Sequence, residues 1–277
     1  MPLQSTGANL RGQRSHTILV FVVVAALVGL LAVLIGHWGQ ASASRSADWT
    51  TMDQTPISQS PSAPPPTSSL SPTPKPSPVL AMKVKFPHSG PHTFAYAKAT
   101  GPVLGFAGPI RKFHLAIESN IKVATMTDVI AKVNATLGDS RSWVAGRKYR
   151  LQLVPKDTAA QFTIYLVTSA TSSSMCAPLY TGGYTSCRQG SHVVLNLDRW
   201  MLSVPDYVKA KVPLETYRTY MINHEVGHAL GNSHELCPGA GKPAPVMEQQ
   251  TLGLHGCKAN PWPYVNGKKY DGPLGRY

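Results

Sequence analysis

Acidic side chains are scarce in this chain: 13 Asp and Glu stand against 26 Lys and Arg in 277 residues, a formal net charge of +13. The imbalance favours anionic neighbours, such as acidic cell-envelope polymers or membrane headgroups, with a plain solubility charge as the alternative. Runs of Lys and Arg are also missing. The basic residues are scattered, which argues against a nucleic-acid-binding stripe. No internal repeat is visible, so solenoid and propeller architectures are excluded. Folded-domain patterning is absent from roughly the first 80 residues, which leaves one domain over residues 82–277. That domain holds 22 basic and 11 acidic side chains. It is large enough to bury a core, so a metal is not needed merely to hold it together.

Ahead of the domain, Ile18 to Ile35 is a run without charged or strongly polar side chains. As a helix it would be about 27 Å long, close to the hydrocarbon thickness of a bilayer. Arg11 and Arg14 precede it with no acidic residue, and Trp38 follows at an interfacial position. The positive-inside rule then keeps the N-terminus in the cytoplasm and sends the rest of the chain out. The expected organisation is a cytoplasmic N-terminus (1–17), a transmembrane signal anchor (18–38), a disordered stalk (39–81) and the exported domain (82–277). Cleavage near Ala43, at the small residues Ala41-Ser42-Ala43, is the alternative and gives a secreted protein. From Asp53 to Leu80 the chain is dominated by Pro, Ser and Thr. In polyproline II such a stalk reaches on the order of 80 Å.

Cysteine is limited to four residues, Cys176, Cys187, Cys237 and Cys257, all in the exported part, where disulfides persist. Three pairings are possible. The sequential ones, Cys176 with Cys187 and Cys237 with Cys257, are favoured because each closes a short loop rich in Gly and Pro. Each contributes about 3 kcal/mol by loop entropy. Cys237 as a metal ligand is the rival reading.

Phe113, Leu115 and Ile117 alternate with polar neighbours over 112–118, which predicts a half-buried strand. Met126, Val129, Ile130, Val133 and Leu137 recur at helical spacing; Thr125 and Asp128 make a capping box and Gly138 the stop. Strands are expected at 149–154, 162–168 and 192–197, with an irregular, stapled loop or hairpin over 175–190. Pro213 opens a second long helix through Leu230, and little regular structure is expected after Gly231. Asn134-Ala135-Thr136 matches a glycosylation sequon but falls on the first helix.

That second helix carries the chemistry. His224-Glu225-Val226-Gly227-His228 places two imidazoles one turn apart on one face, with a carboxylate beside them. Gly231 can take the positive φ that ends the helix, and the turn brings back His234 as a third nitrogen ligand. Three neutral histidines suit Zn2+ and leave one position for water, with Glu225 as its general base. Glu248 and His255 are the alternative third ligands. His88, His92 and His114 are isolated and expected at the surface or in satisfied positions.

The stretch from His224 to His234 resembles the extended zinc signature of the metzincin metalloproteases, and Met247 matches their methionine turn. Asn223 to His228, Cys237-Pro238-Gly239, Pro243 to Met247 with Gln249-Gln250-Thr251, and Pro261-Trp262-Pro263 together resemble an uncharacterised bacterial family of exported metzincin-like domains, over residues 82–277. The resemblance implies an α+β fold: a twisted mixed sheet of about five strands, two long helices with the zinc motif on the second, and an irregular C-terminal subdomain. It implies Met247 as support beneath the metal and a substrate lying along an edge strand, placed here around 180–197. One departure stands out. Gln249 occupies the position where several metzincins have a tyrosine, so the oxyanion stabiliser is unassigned, with Tyr184, Tyr207 and Tyr264 as undifferentiated candidates. Glu235 is expected either to anchor the substructure by an ion pair or to lie at the surface.

The expected function is a membrane-tethered extracellular zinc endopeptidase acting on a peptide or protein substrate. The alternatives are a cell-wall peptide amidase with the same chemistry, and a non-catalytic envelope-binding module, against which Glu225 speaks.

Overall fold

A computed structural model describes residues 84–277, Tyr180 excepted. The proposed anchor and stalk lie outside the described residues. Among the described residues no helix is long and apolar enough to cross a membrane.

The described residues belong to one compact unit built on a mixed sheet. Its strands are β1 (Phe94–Tyr96), β2 (Val103–Leu104), β3 (Ile110–Glu118), β4 (Arg150–Leu153), β5 (Phe162–Val167), β6 (Cys187–Gln189) and β7 (His192–Asn196). In space they run β2-β4-β3-β5-β7-β6. β4, β3, β5 and β7 are mutually parallel, whereas β2 and β6 close the two ends antiparallel. β1 pairs antiparallel with the last residues of β3, beyond the point where β4 leaves it. Seven strands replace the expected five. The four strands expected at 112–118, 149–154, 162–168 and 192–197 are in place as β3, β4, β5 and β7; the additions are segments of two or three residues, too short for a period of two to show.

Alternation sorts the central strands onto two faces. Phe113, Leu115, Ile117, Ile164, Leu166, Val193 and Leu195 join the larger core, while Ala116, Tyr165, Val167 and Val194 join a smaller one with the Cys176 and Cys187 sulfurs. Over the larger face lie α1 (Met126–Leu137) and, further along the chain, the long helix described below. Thr125 caps α1 by accepting from the Asp128 backbone at 3.1 Å and donating to its carboxylate at 2.7 Å, the expected box. Val129, Val133 and Leu137 supply its buried stripe. Over the smaller face lies α2 (Ser169–Met175), unexpected because Ser-Ala-Thr-Ser-Ser-Ser-Met carries no apolar period. Tertiary packing overrides its weak propensity. Thr171 and Ser172 are buried, and Cys176 immediately after the helix is joined to Cys187 on β6.

Two short helices, α3 (Leu197–Leu202) and α4 (Pro205–Lys209), lead into α5 (Leu214–Ala229). Pro213 sits at its N-cap. Unlike α1, α5 is covered almost all round, with Tyr217 and every residue from Thr219 to Gly227 buried. It is an interior helix, with the site at its C-terminal end. After Gly231 regular structure is sparse, as expected: one hairpin, β8 (Tyr264–Val265) and β9 (Lys268–Lys269), and isolated bridges. A second disulfide, Cys237–Cys257, closes a loop that contains Met247.

Candidate metal centre

The site begins with how α5 stops. Gly231 has φ +92°, Asn232 donates back to the Gly227 carbonyl at 3.0 Å, and Gly231 to the His228 carbonyl at 3.1 Å. This Schellman closure needs a residue that tolerates the left-handed region. It reverses the chain and brings His234 to His224 and His228.

The three rings converge through their Nε2 atoms, 3.2 Å apart for His224 and His228 and 3.0 Å for His228 and His234. Zinc–nitrogen bonds of about 2.05 Å at a tetrahedral angle put ligand nitrogens roughly 3.3 Å apart. The outer nitrogens decide the protonation. His224 Nδ1 donates to the Val246 carbonyl at 2.8 Å and His228 Nδ1 to the Asn232 carbonyl at 2.9 Å. A carbonyl oxygen only accepts, so these protons sit on Nδ1 and both Nε2 atoms present lone pairs. Burial holds His224 well below the ordinary histidine range, reinforced by its two neighbours. Burial also lowers His228, aided by Arg188, and brings His234 down to about 4, aided by His228 and Arg276. Neutral imidazoles with facing lone pairs repel unless a cation lies between them, so this donor set fits a divalent metal.

Glu225 stands beside the trio and lines the same cleft. It makes no side-chain hydrogen bond among the described residues, and burial pushes its carboxyl up to about 8. With no charge facing it the carboxyl is largely protonated at neutral pH, and a cation held by the three histidines would favour the carboxylate and make it a proton acceptor at the cleft.

Beneath the helix, Met247 is buried with its sulfur against Gly227, where a β-carbon would meet it at 2.5 Å and the Trp143 ring at 2.6 Å. The surrounding loop is pinned at each step. Glu235 N–H donates to the Met247 carbonyl at 3.1 Å, and the Tyr220 hydroxyl to the Glu248 carbonyl at 2.9 Å. Tyr207 donates to Gln250 at 2.6 Å, while the Gln250 amide donates to the Pro245 and Asn260 carbonyls. One turn earlier on the same face of α5, Asn223 accepts from Ser142 and donates to the Pro261 carbonyl, and Trp143 Nε1 donates to the Asn223 carbonyl. The irregular C-terminal part is thus held by buried polar groups in place of a sheet.

The other expectations separate cleanly. Glu248 and His255 are outside the trio: Glu248 is fully buried, and His255 stacks on Tyr277. Cys237 is not a ligand, since its sulfur is bonded to Cys257, which also removes the thiolates from the Cys237, Glu248 and Cys257 grouping. His88 bonds Asp198 and His114 the Thr158 carbonyl. Glu235 is neither surface nor ion-paired among the described residues; its buried carboxylate accepts from Gly272 N–H at 3.1 Å. Of the three tyrosines, only Tyr184 lines the cleft. Tyr207 is buried against Gln250, and the Tyr264 hydroxyl packs on Gly146. Gln249 does reach the cleft, where it accepts from Tyr277 N–H at 3.1 Å. Missed from sequence were Gly227, Trp143 and the segment 274–277, whose placement depends on contacts no local pattern records.

The cleft measures 1170 Å³. One wall is formed by Leu179, Thr181 and residues 184–188, the last two in edge strand β6; the other is formed by Gln249, Thr251, Leu252 and residues 274–277. A family model described as "Protein of unknown function (DUF3152)" matches residues 80–265. The chain belongs to that family. No curated protein and no solved structure matches it. The DUF3152 match takes in the three histidines, Glu225, Met247 and both disulfides, and stops short of the wall at 274–277.

Proposed function

We propose that this member of the DUF3152 family is a zinc-dependent endopeptidase of metzincin-like design, working outside the cell from an N-terminal membrane anchor. The observation that carries the proposal is the commitment of two imidazole protons to the Val246 and Asn232 carbonyls, which turns lone pairs of the histidine trio inward next to Glu225. Two further features support it. The helix, glycine turn, third histidine and buried methionine occur in the metzincin order, and an edge strand borders the cleft. A volume of 1170 Å³ also exceeds the roughly 300–1,000 Å³ usual for small-molecule pockets. The two disulfides fit an oxidising compartment.

His224, His228 and His234 would hold the ion. Zinc at a three-histidine site supplies Lewis acidity, which polarises a carbonyl and brings the pKa of water towards 7. Glu225 receives the proton of the attacking water and returns it to the amine nitrogen as the C–N bond breaks. Burial alone leaves Glu225 largely protonated at neutral pH, and a cation on the three histidines would draw its pKa down so that the carboxylate can take the first proton. The Val246 and Asn232 carbonyls orient the imidazoles.

The test is metal analysis and peptide hydrolysis by the wild type and Glu225→Ala. The expected result is about one zinc per chain in both proteins, with hydrolysis about 10²–10⁴-fold slower in the variant. Equal hydrolysis by the two, or none by a zinc-loaded wild type across a broad peptide library, would overturn the proposal.

A further inference from the structure

The cleft's charged lining is unbalanced. Besides the histidines and Glu225, its ionic side chains are Arg188 and Arg276. Arg188 projects from edge strand β6, paired opposite Val193 and next to the disulfide-bonded Cys187. Arg276 comes from the opposite wall, where the backbone is held on both sides of it: Gly275 N–H donates to the His234 carbonyl at 3.1 Å, and Tyr277 N–H to Gln249 Oε1 at 3.1 Å. Both side chains are exposed, and among the described residues neither guanidinium forms an ion pair or a hydrogen bond. Arg141 and Arg218 differ: Arg141 is paired with Asp139 and lies over Trp262, and Arg218 is paired with Glu215 and lies over Trp200. The apolar side chains Leu179, Leu252 and Leu274 are also exposed along these walls.

A planar guanidinium on a fixed backbone, with its donors unused, matches a carboxylate through two parallel hydrogen bonds. We infer that Arg188 and Arg276 make this cleft selective for peptides that bring a carboxylate to one or both sides of the metal centre, with apolar neighbours resting on the exposed leucines. The inference rests on the reading of the cleft as a peptide site; it names the substrate class and does not depend on turnover. An acidic side chain within the peptide and a free α-carboxylate at its end offer the same chemistry. The first corresponds to cleavage within acidic segments, the second to trimming near a C-terminus.

Binding separates these questions from catalysis. The full chain carrying Glu225→Ala would be titrated, by fluorescence anisotropy at low ionic strength, with three labelled peptides of equal length and apolar content. One contains an internal glutamate and an amidated end, one has no acidic side chain and a free end, and one is neutral and amidated. The expected result is at least one carboxylate peptide bound about tenfold or more tightly than the neutral one, with the better of the two identifying the source. Arg188→Gln with Arg276→Gln should abolish that preference while leaving zinc content and Tm unchanged, and Arg→Lys at both should restore part of it. Equal binding of all three peptides would overturn the inference, as would a preference that survives in the glutamine variant. Carboxylate-dependent binding by a protein whose wild type cleaves nothing would sustain the inference while removing the peptidase reading. Cleavage without any such preference would do the reverse.

Discussion

The Met247 sulfur lies 2.5 Å from where a β-carbon on Gly227 would sit, so the second spacer residue of the His-Glu-x-x-His stretch is a contact surface as much as a helix position. On the same side the absent β-carbon would also meet Trp143, whose indole N–H is tied to the Asn223 carbonyl and cannot swing aside freely. The methionine and the helix that bears the histidines approach one another through this gap.

Gly227→Ala should therefore destabilise the domain by about 1–3 kcal/mol through overpacking. In a domain of this size the melting temperature would fall by about 2–4 °C for each kcal/mol. Thermal unfolding with and without added zinc checks this, and zinc binding should weaken with stability, because the displaced methionine loop carries the Val246 carbonyl that orients His224. An unchanged Tm would mean that Met247 is not packed as described.

Gly231→Ala isolates a different cost. Nothing lies within 4 Å of a β-carbon there, so the penalty is purely that of φ +92°. Left-handed backbone costs a side-chain-bearing residue about 1–2 kcal/mol. Gly231→Asn should lose less, since asparagine visits this region more readily. Zinc affinity measured by competition with a chelator should follow the order Gly, Asn, Ala. The reverse order for Asn and Ala would show that the turn does not hold His234.

Removal of the Cys237–Cys257 disulfide by serine substitution at both positions should cost about 3 kcal/mol from a loop of 20 residues. Because Met247 lies inside that loop and its carbonyl is bonded to Glu235 close to His234, zinc affinity should fall as well. Affinity equal to that of the wild type would argue that the loop and the metal centre are independent.

Glu118 gives a pH signature far from the site. Burial alone would raise its carboxyl, but hydrogen bonds from Thr168, Thr171 and the His92 backbone outweigh it and hold the group below its ordinary 4.5. A depressed folded pKa contributes stability above the unfolded value, and that stability is lost as pH falls through the folded one. Glu118→Gln, whose amide nitrogen cannot accept these bonds, should be less stable than wild type at pH 7. The gap should shrink below about pH 4 as the wild-type carboxylate protonates. Melting curves at pH 7 and pH 3 that show a constant gap would contradict this assignment.

Much of this was legible in the chain, for identifiable reasons. The alternation through Phe113, Leu115 and Ile117, the Thr125–Asp128 box and the histidine spacing are local signals, and each appears at its expected place. Gly231 was legible because helix termination makes a local demand on φ. The rest depends on distant partners. β1, β2 and β6 have too few residues to show a period, and α2 carries no apolar period to mark it, being held by the burial of Thr171 and Ser172. Gly227 reads as an arbitrary spacer until Met247, 20 residues on, is placed against it. Arg188 and Arg276 are ordinary surface cations in sequence, and only folding puts both on one cleft. Glu235 is the corrected case: its carboxylate finds a backbone N–H at Gly272, so no ion pair is needed.

The central claim is that His224, His228 and His234, with two outer protons committed to backbone carbonyls, hold zinc through nitrogen alone. X-ray absorption at the zinc edge of the purified full chain tests it most directly. The account predicts three imidazole nitrogens at about 2.0–2.1 Å, one oxygen and no sulfur. A shell containing sulfur at about 2.3 Å, or a chain that takes up no zinc, would contradict it.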